Sequence, residues 1–200
     1  MATIKTLPLL GLLLFIIGIT PPNMARADWV LNMEKSNLSY GSIKKNSIGE
    51  SNHFQRLEGQ ITEKGEITLL IDLASVETWV DIRNARMAEF FFQTMDYPTA
   101  TLQGQVDMEK FSRLKVGDQQ SFDIAFDFDL HGQSQTIDAE LIILRLTEKT
   151  VVVLSGNIIF LDVEKFNLLS GLKKLQEMAK LSSISSSVPI VFHLTFDHRP

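Results

Sequence analysis

The sequence predicts an all-β protein, an antiparallel β-barrel of about eight strands with two short helices. Three observations lead there. Phe122, Ile124, Phe126, Phe128 and Leu130 alternate with Ser121, Asp123, Ala125, Asp127 and Asp129, so one face of a long strand is dry and the other wet. Shorter segments with an apolar face at period two recur along most of the chain. Helical spacing is confined to two stretches, 83–92 and 172–181. Eight strands closed on themselves leave an interior that side chains fill or that holds one small ligand, and closure removes unpaired edges.

In chain order, 29–31 and 38–43 read as short strands parted by the turn Lys35-Ser36-Asn37. Segments 54–62 and 66–73 flank the hairpin loop Glu63-Lys64-Gly65, with Ile67, Leu69, Ile71 and Leu73 on one face. Residues 75–81 break the alternation, and a helix over 83–92 follows with Met87, Phe90 and Phe91 on its apolar side. Pro98 bars further helix, and Ala100, Leu102 and Gly104 then alternate with Thr99, Thr101 and Gln103. A polar connection over 111–118 leads to the long Phe-rich strand.

After His131-Gly132-Gln133, the segment 137–146 has Ile137, Ala139, Leu141 and Ile143 on one face and Ile142, Leu144 and Leu146 on the other. Segment 151–161 is also apolar on both faces. Such strands need an outer cover. The amphipathic segment 172–181 is one candidate, with Leu172, Leu175, Met178 and Ala179 on one stripe; a homodimer interface is the other. A last strand over 189–197 places Ile190, Phe192, Leu194 and Phe196 inward.

Two hundred residues suit one domain, and the formal charge of −5 argues against a nucleic-acid partner. Cysteine is absent, which excludes disulfides and thiolate metal sites. Lys5, the apolar run 9–19 and Ala25-Arg26-Ala27 have the form of a cleaved signal peptide over 1–27. The run is about half the ~20 residues a spanning helix needs. Cleavage leaves a single domain, 28–200, with 17 of the 19 basic residues against 24 acids, a formal charge of −7. A soluble, exported protein is expected.

No residue pattern points to catalysis. His53, His131, His193 and His198 lack metal-ligand spacing, no G-x-S-x-G elbow or phosphate-binding glycine loop is present, and no metal is expected. Asp123, Asp127 and Asp129 fall at period two and read as the wet wall of a barrel. From the residues alone, the Phe row reads first as packed core.

Ile71-Asp72-Leu73-x-Ser75-Val76-Glu77-Thr78, then Arg83-Asn84, then the run 90–92, then Tyr97-Pro98-Thr99-Ala100-Thr101-Leu102 carry a more specific signal. In order and spacing they resemble the YceI-like family, whose members are periplasmic proteins with a lipocalin-like barrel around a long isoprenoid or other lipid. Two departures stand out: Gln133-Ser134-Gln135 replaces a common Thr-Lys-Pro, and Asn84 stands where Asp is common.

The resemblance implies a periplasmic, non-catalytic carrier whose only ligand is the lipid, with no other cofactor. It turns the inner faces into lipid contacts: Leu69 and Ile71; Ala100 and Leu102; Phe122, Ile124, Phe126 and Phe128; Leu141 and Ile143; Phe192 and Leu194. Arg83 and Arg86 are candidates for a headgroup, against a reading as plain surface arginines. The alternative is an envelope interaction protein with a solid barrel, acting through its apolar outer surface or a dimer interface.

Overall fold

The computed structural model describes residues 27–199, so the expected leader lies outside the described residues except for Ala27. Period-two patterning becomes a closed antiparallel barrel of eight strands, several of them bent and broken in the middle. β1 (Ala27–Leu31) and β2 (Asn37–Lys44) are halves of the first, joined across a 3-10 turn at Met33–Lys35. β3 (Ile48–Phe54) and β4 (Leu57–Thr62) make the second, and β5 (Glu66–Asp72) with β6 (Val76–Glu77) the third. β7 (Thr99–Gln105), β8 (Gln119–Leu130) and β9 (Gln133–Thr147) are continuous. β10 (Thr150–Ser155) and β11 (Ile159–Asp162) form the seventh, and β12 (Ser187–His198) the eighth.

Each strand pairs with the next in the chain, and β12 closes the ring. Its end pairs with β1 (Phe196 opposite Leu31), its middle with β2 (Ile190 opposite Tyr40). In β8 the expected alternation holds without exception from Phe122 to Leu130: inward residues are buried and outward ones exposed. Burying each such side chain contributes about 1.5–3 kcal/mol. Gly104 on β7 makes room for this row, because a Cβ there would fall 2.5 Å from the Phe126 ring.

The helices depart from the expected pair. α1 (Asp81–Arg86) runs on into a π-helical turn, Met87–Phe91, and α3 (Leu169–Met178) matches the second expected helix closely. Between them α2 (Met108–Ser112) occupies the start of the supposed polar connection. Asp107 caps it, accepting from the N–H groups of Glu109 and Lys110 at 2.9 and 3.1 Å. One and a half turns are too few for a legible period, yet they place Phe111 in the core, edge-on to Trp29 at 5.5 Å.

β3 is a second addition, since its first six residues show no apolar alternation. The stretch 151–161 splits into β10 and β11 around Gly156, whose N–H donates to the Glu140 carbonyl.

α3 does not cover the outer faces of β9 and β10. It lies across one end of the barrel against the π-helical turn, where a Cβ on Gly171 would come 2.5 Å from the Phe90 carbonyl oxygen. The outer apolar side chains shield one another instead. Ile142 stands opposite Leu154 and Leu144 opposite Val152, all half-buried, while Leu146 is exposed.

The facing of β8 sets up a contrast for chemical denaturation. Phe126→Asp places an unpaired carboxylate inside and is expected to cost about 4 kcal/mol or more, whereas Asp127→Ala is expected to stay within ~0.5 kcal/mol of the wild type. Equal losses would contradict the register.

Candidate functional site

The barrel is filled at one end and hollow at the other. Trp29, Phe111, Phe122 and Ile124 pack the filled end, with the Lys110 ammonium 4.4 Å from the centre of the Phe122 ring. Above them is a cavity of about 400 Å³ with almost wholly apolar walls. Leu69 and Ile71, Ala100 and Leu102, Phe126 and Phe128, Leu141 and Ile143, and Phe192 and Leu194 all line it. Phe122 and Ile124 do not: they point inward as expected but belong to the packed floor beneath α2. Period two reports facing, and it carries no information about depth along the axis.

Other wall residues lay outside the expected set. Phe54, Phe91 and Phe166 add aromatic surface, and Leu172 and Leu175 of α3 close over the cavity beside Met87. Phe91 and Leu172 sit on helical stripes whose pattern was legible, but only their docking against the barrel end turns them toward the cavity.

The walls of β2 and β3 turn polar toward the mouth. Tyr40 stands opposite Asn52 and Ser42 opposite Glu50, with Lys44 beyond. Glu50 accepts hydrogen bonds from Lys44 and, at 2.5 Å, from an Arg83 guanidinium N–H. The Lys44 bond foremost, with the nearby Arg83 charge, holds the Glu50 carboxyl below the usual range. A second Arg83 N–H donates to the Thr78 carbonyl at 2.5 Å, and its Nε is buried without a partner among the described residues. Burial drives the Tyr40 hydroxyl pKa upward against the pull of Arg83, and that hydroxyl donates to Met87 Sδ at 3.5 Å.

Arg83 is thus a structural cross-tie at the mouth. Arg86 also lines the cavity and makes no ion pair among the described residues.

The YceI-like domain family matches residues 29–196. The chain belongs to the YceI-like family. It is similar to a solved polyisoprenoid-binding domain from Saccharophagus degradans implicated in plant cell wall breakdown. Identity is 33%, coverage is 87% of this chain and 100% of that one, and the TM-score is 0.85. BcnA of Burkholderia cenocepacia shares the fold at 19% identity and a TM-score of 0.65, covering 82% of this chain and 98% of its own. A Campylobacter jejuni YceI protein does so at 12% and 0.55, with 74% and 85% covered. No curated protein matches significantly.

The stretch that carries the family resemblance builds the rim of this mouth. Asn84 Oδ1 accepts from the N–H and hydroxyl of Thr78 at 2.9 and 2.6 Å, and its Nδ2 donates to Glu77 at 3.0 Å. Hydrogen bonds from Asn84 and from the Trp79 N–H hold the Glu77 carboxyl below its ordinary value. Thr78 is almost fully buried; its N–H depends on Asn84, while its hydroxyl also reaches the Val80 carbonyl at 3.4 Å.

Asn84→Ala orphans the Thr78 N–H, leaves its hydroxyl only the longer contact with the Val80 carbonyl, and is expected to cost about 1–3 kcal/mol. Asn84→Asp retains the acceptor and should cost less, with its deficit shrinking as pH falls and protonation relieves the repulsion between the new carboxylate and Glu77. Thermal melts of both variants across pH check the order and the trend.

Proposed function

We propose that this YceI-like protein carries or stores one long-chain amphipathic lipid, polyisoprenoid or similar, in the barrel cavity, in the periplasm and without covalent chemistry. The observation that carries the reading is the apolar cavity, open beneath α1 and α3 and continuous with the inner faces of the strands. Moving a hydrocarbon chain from water into such a space gains about 0.8 kcal/mol per buried CH₂. The 33% identical relative, described as a polyisoprenoid-binding domain, supports the same ligand class.

A second reading rests on the outer surface. Phe160 and Ile158 of the β11 region and Val191 of β12 are 64%, 56% and 45% exposed on the barrel exterior. They offer a face for an envelope partner or a homodimer. The hollow interior removes the premise of a solid barrel, so this face is an addition to carriage.

Native mass spectrometry of gently purified protein should show one lipid per chain. Ala100 is buried on the cavity wall, and in Ala100→Trp the indole takes space meant for ligand. Delipidated variant is expected to keep most of its stability while lipid retention falls sharply. A large loss of stability, with no lipid in the wild type, would refute the carrier.

Periplasmic residence rests on the leader-like segment. Cleavage after Ala27 would cost β1 only its pairing of Ala27 with Thr62. Intact-mass measurement of the periplasmic fraction should find Asp28 as the first residue; a species found only in membranes with 1–27 retained would refute it.

A further inference from the structure

The open end of the barrel turns apolar side chains toward water. Val80 and Ile82, at the start of α1, are exposed and also belong to the cavity lining, so they mark the edge of the opening. Trp79, one residue earlier, is 76% exposed. Ile48, at the tip of the β2–β3 hairpin and opposite Lys44 in register, is exposed as well. The ion pair of Arg83 with Glu50 ties that hairpin to α1 and brings both sets onto one rim. Apolar residues scattered singly over a surface need no explanation, but these are gathered in one place.

Trp79 is held there at a cost. Its φ of 63° lies in the left-handed region that favours glycine and asparagine, and its N–H donates to Glu77 at 2.5 Å. The indole lies beside the His53 ring, 5.3 Å between centres, and most of it faces water.

The charged side chains that line the cavity have one sign. They are Lys44, Arg83 and Arg86; among the described residues no Asp or Glu lines it, although the chain carries a formal charge of −5. Lys44 and Arg83 share the one carboxylate of Glu50, Arg83 Nε is buried without a partner, and Arg86 makes no ion pair among the described residues. Asp81 and Glu89, the acids of the same helical segment, are exposed and pair with neither arginine among the described residues.

From this we infer that the mouth is a membrane-docking surface. Ile48, Trp79, Val80 and Ile82 enter the interfacial layer of an anionic bilayer, and the surplus positive charge of Lys44, Arg83 and Arg86 faces its headgroup phosphates. The inference rests on the carrier reading and adds the place where lipid is exchanged. A long hydrocarbon chain is nearly insoluble in water, and a mouth pressed to the bilayer spares it the aqueous crossing. Tryptophan suits that depth, with an apolar body and one polar N–H. The surplus of cations around the opening, and the continuity of the rim with an apolar cavity, favour a lipid surface over a protein partner.

The chain has two tryptophans, and the other, Trp29, is buried in the filled end, so changes in emission report on Trp79. Delipidated protein is mixed with vesicles of phosphatidylethanolamine and phosphatidylglycerol, and separately with vesicles of phosphatidylcholine alone. Cosedimentation is expected to be roughly tenfold stronger with the anionic vesicles and to weaken as salt is raised. Trp79 emission should shift to the blue and be quenched by brominated acyl chains. Trp79→Asn combined with Ile48→Ser should lower vesicle binding about tenfold. Its melting temperature and its retention of lipid supplied in detergent should hold, because asparagine suits left-handed backbone and neither residue lines the cavity. Leu146→Ser removes an exposed apolar side chain at the filled end, beside Arg145 and Trp29, and should bind vesicles like the wild type.

Vesicle binding that is absent, or equal on the two compositions, overturns the docking surface and leaves the carrier standing if native protein still yields its lipid. Binding without quenching of Trp79 overturns it too, since another face then meets the membrane, as does an equal loss in Leu146→Ser. If the double variant melts early, Arg86→Gln decides: it should lose much of the preference for anionic vesicles, and an unchanged preference overturns the assignment. Native protein that holds no lipid and binds no vesicle overturns both readings together.

Discussion

The double pairing of β12 is the constraint on which the rest depends. One edge of this strand meets β1 and β2 in succession, and the other meets β10 and β11, so a single segment near the C-terminus joins the first strand to the seventh. Without it the sheet would be open, with two long unpaired edges and an apolar face having no opposite wall. With it, the inward residues of all eight strands converge. The 3-10 turn at Met33–Lys35 is tied to the same strand: the Thr195 hydroxyl donates to the Lys35 carbonyl and the Ser36 hydroxyl accepts from the Thr195 N–H. Closure is therefore reinforced where the first strand bends.

Closure alone does not decide whether the interior is solid or hollow. That depends on what enters from the ends. At one end α2 inserts Phe111 against Trp29, and the inner residues of β8 at that level become a floor. At the other, α1, the π-helical turn and α3 lie across the opening without filling it. The absence of side chains at Gly104 and Gly171 matters at both levels, letting the Phe126 ring cross β7 and α3 settle onto the π-helical turn. Among the described residues, a barrel floored at one end and roofed by short helices at the other has its opening beside those helices.

The mouth combines an ion-paired rim with a neutral polar residue just inside it. Glu50 gathers Lys44 and Arg83, and Asn84 gathers Glu77 and Thr78. Such a rim holds its shape while two cations share the one carboxylate of Glu50. The cavity inside it is shaped almost wholly by apolar wall.

The sequence by itself determined the barrel, because period two survives wherever an inner face is uniformly apolar, as in β8 and β12. It also determined most of the cavity wall, for ten of the twelve expected wall residues do line it. It did not reveal β3, whose inner positions at the mouth are Glu50 and Asn52: inward polar residues erase the alternation by which a strand is read. Nor did it reveal α2, which is shorter than two helical turns. Only the tertiary structure decided that Phe122 and Ile124 are floor while Phe126 and Phe128 are wall, since that depends on where α2 lands along the axis. It alone paired Arg83 with Glu50, 33 residues away, because ion-pair partners across a barrel share no local spacing.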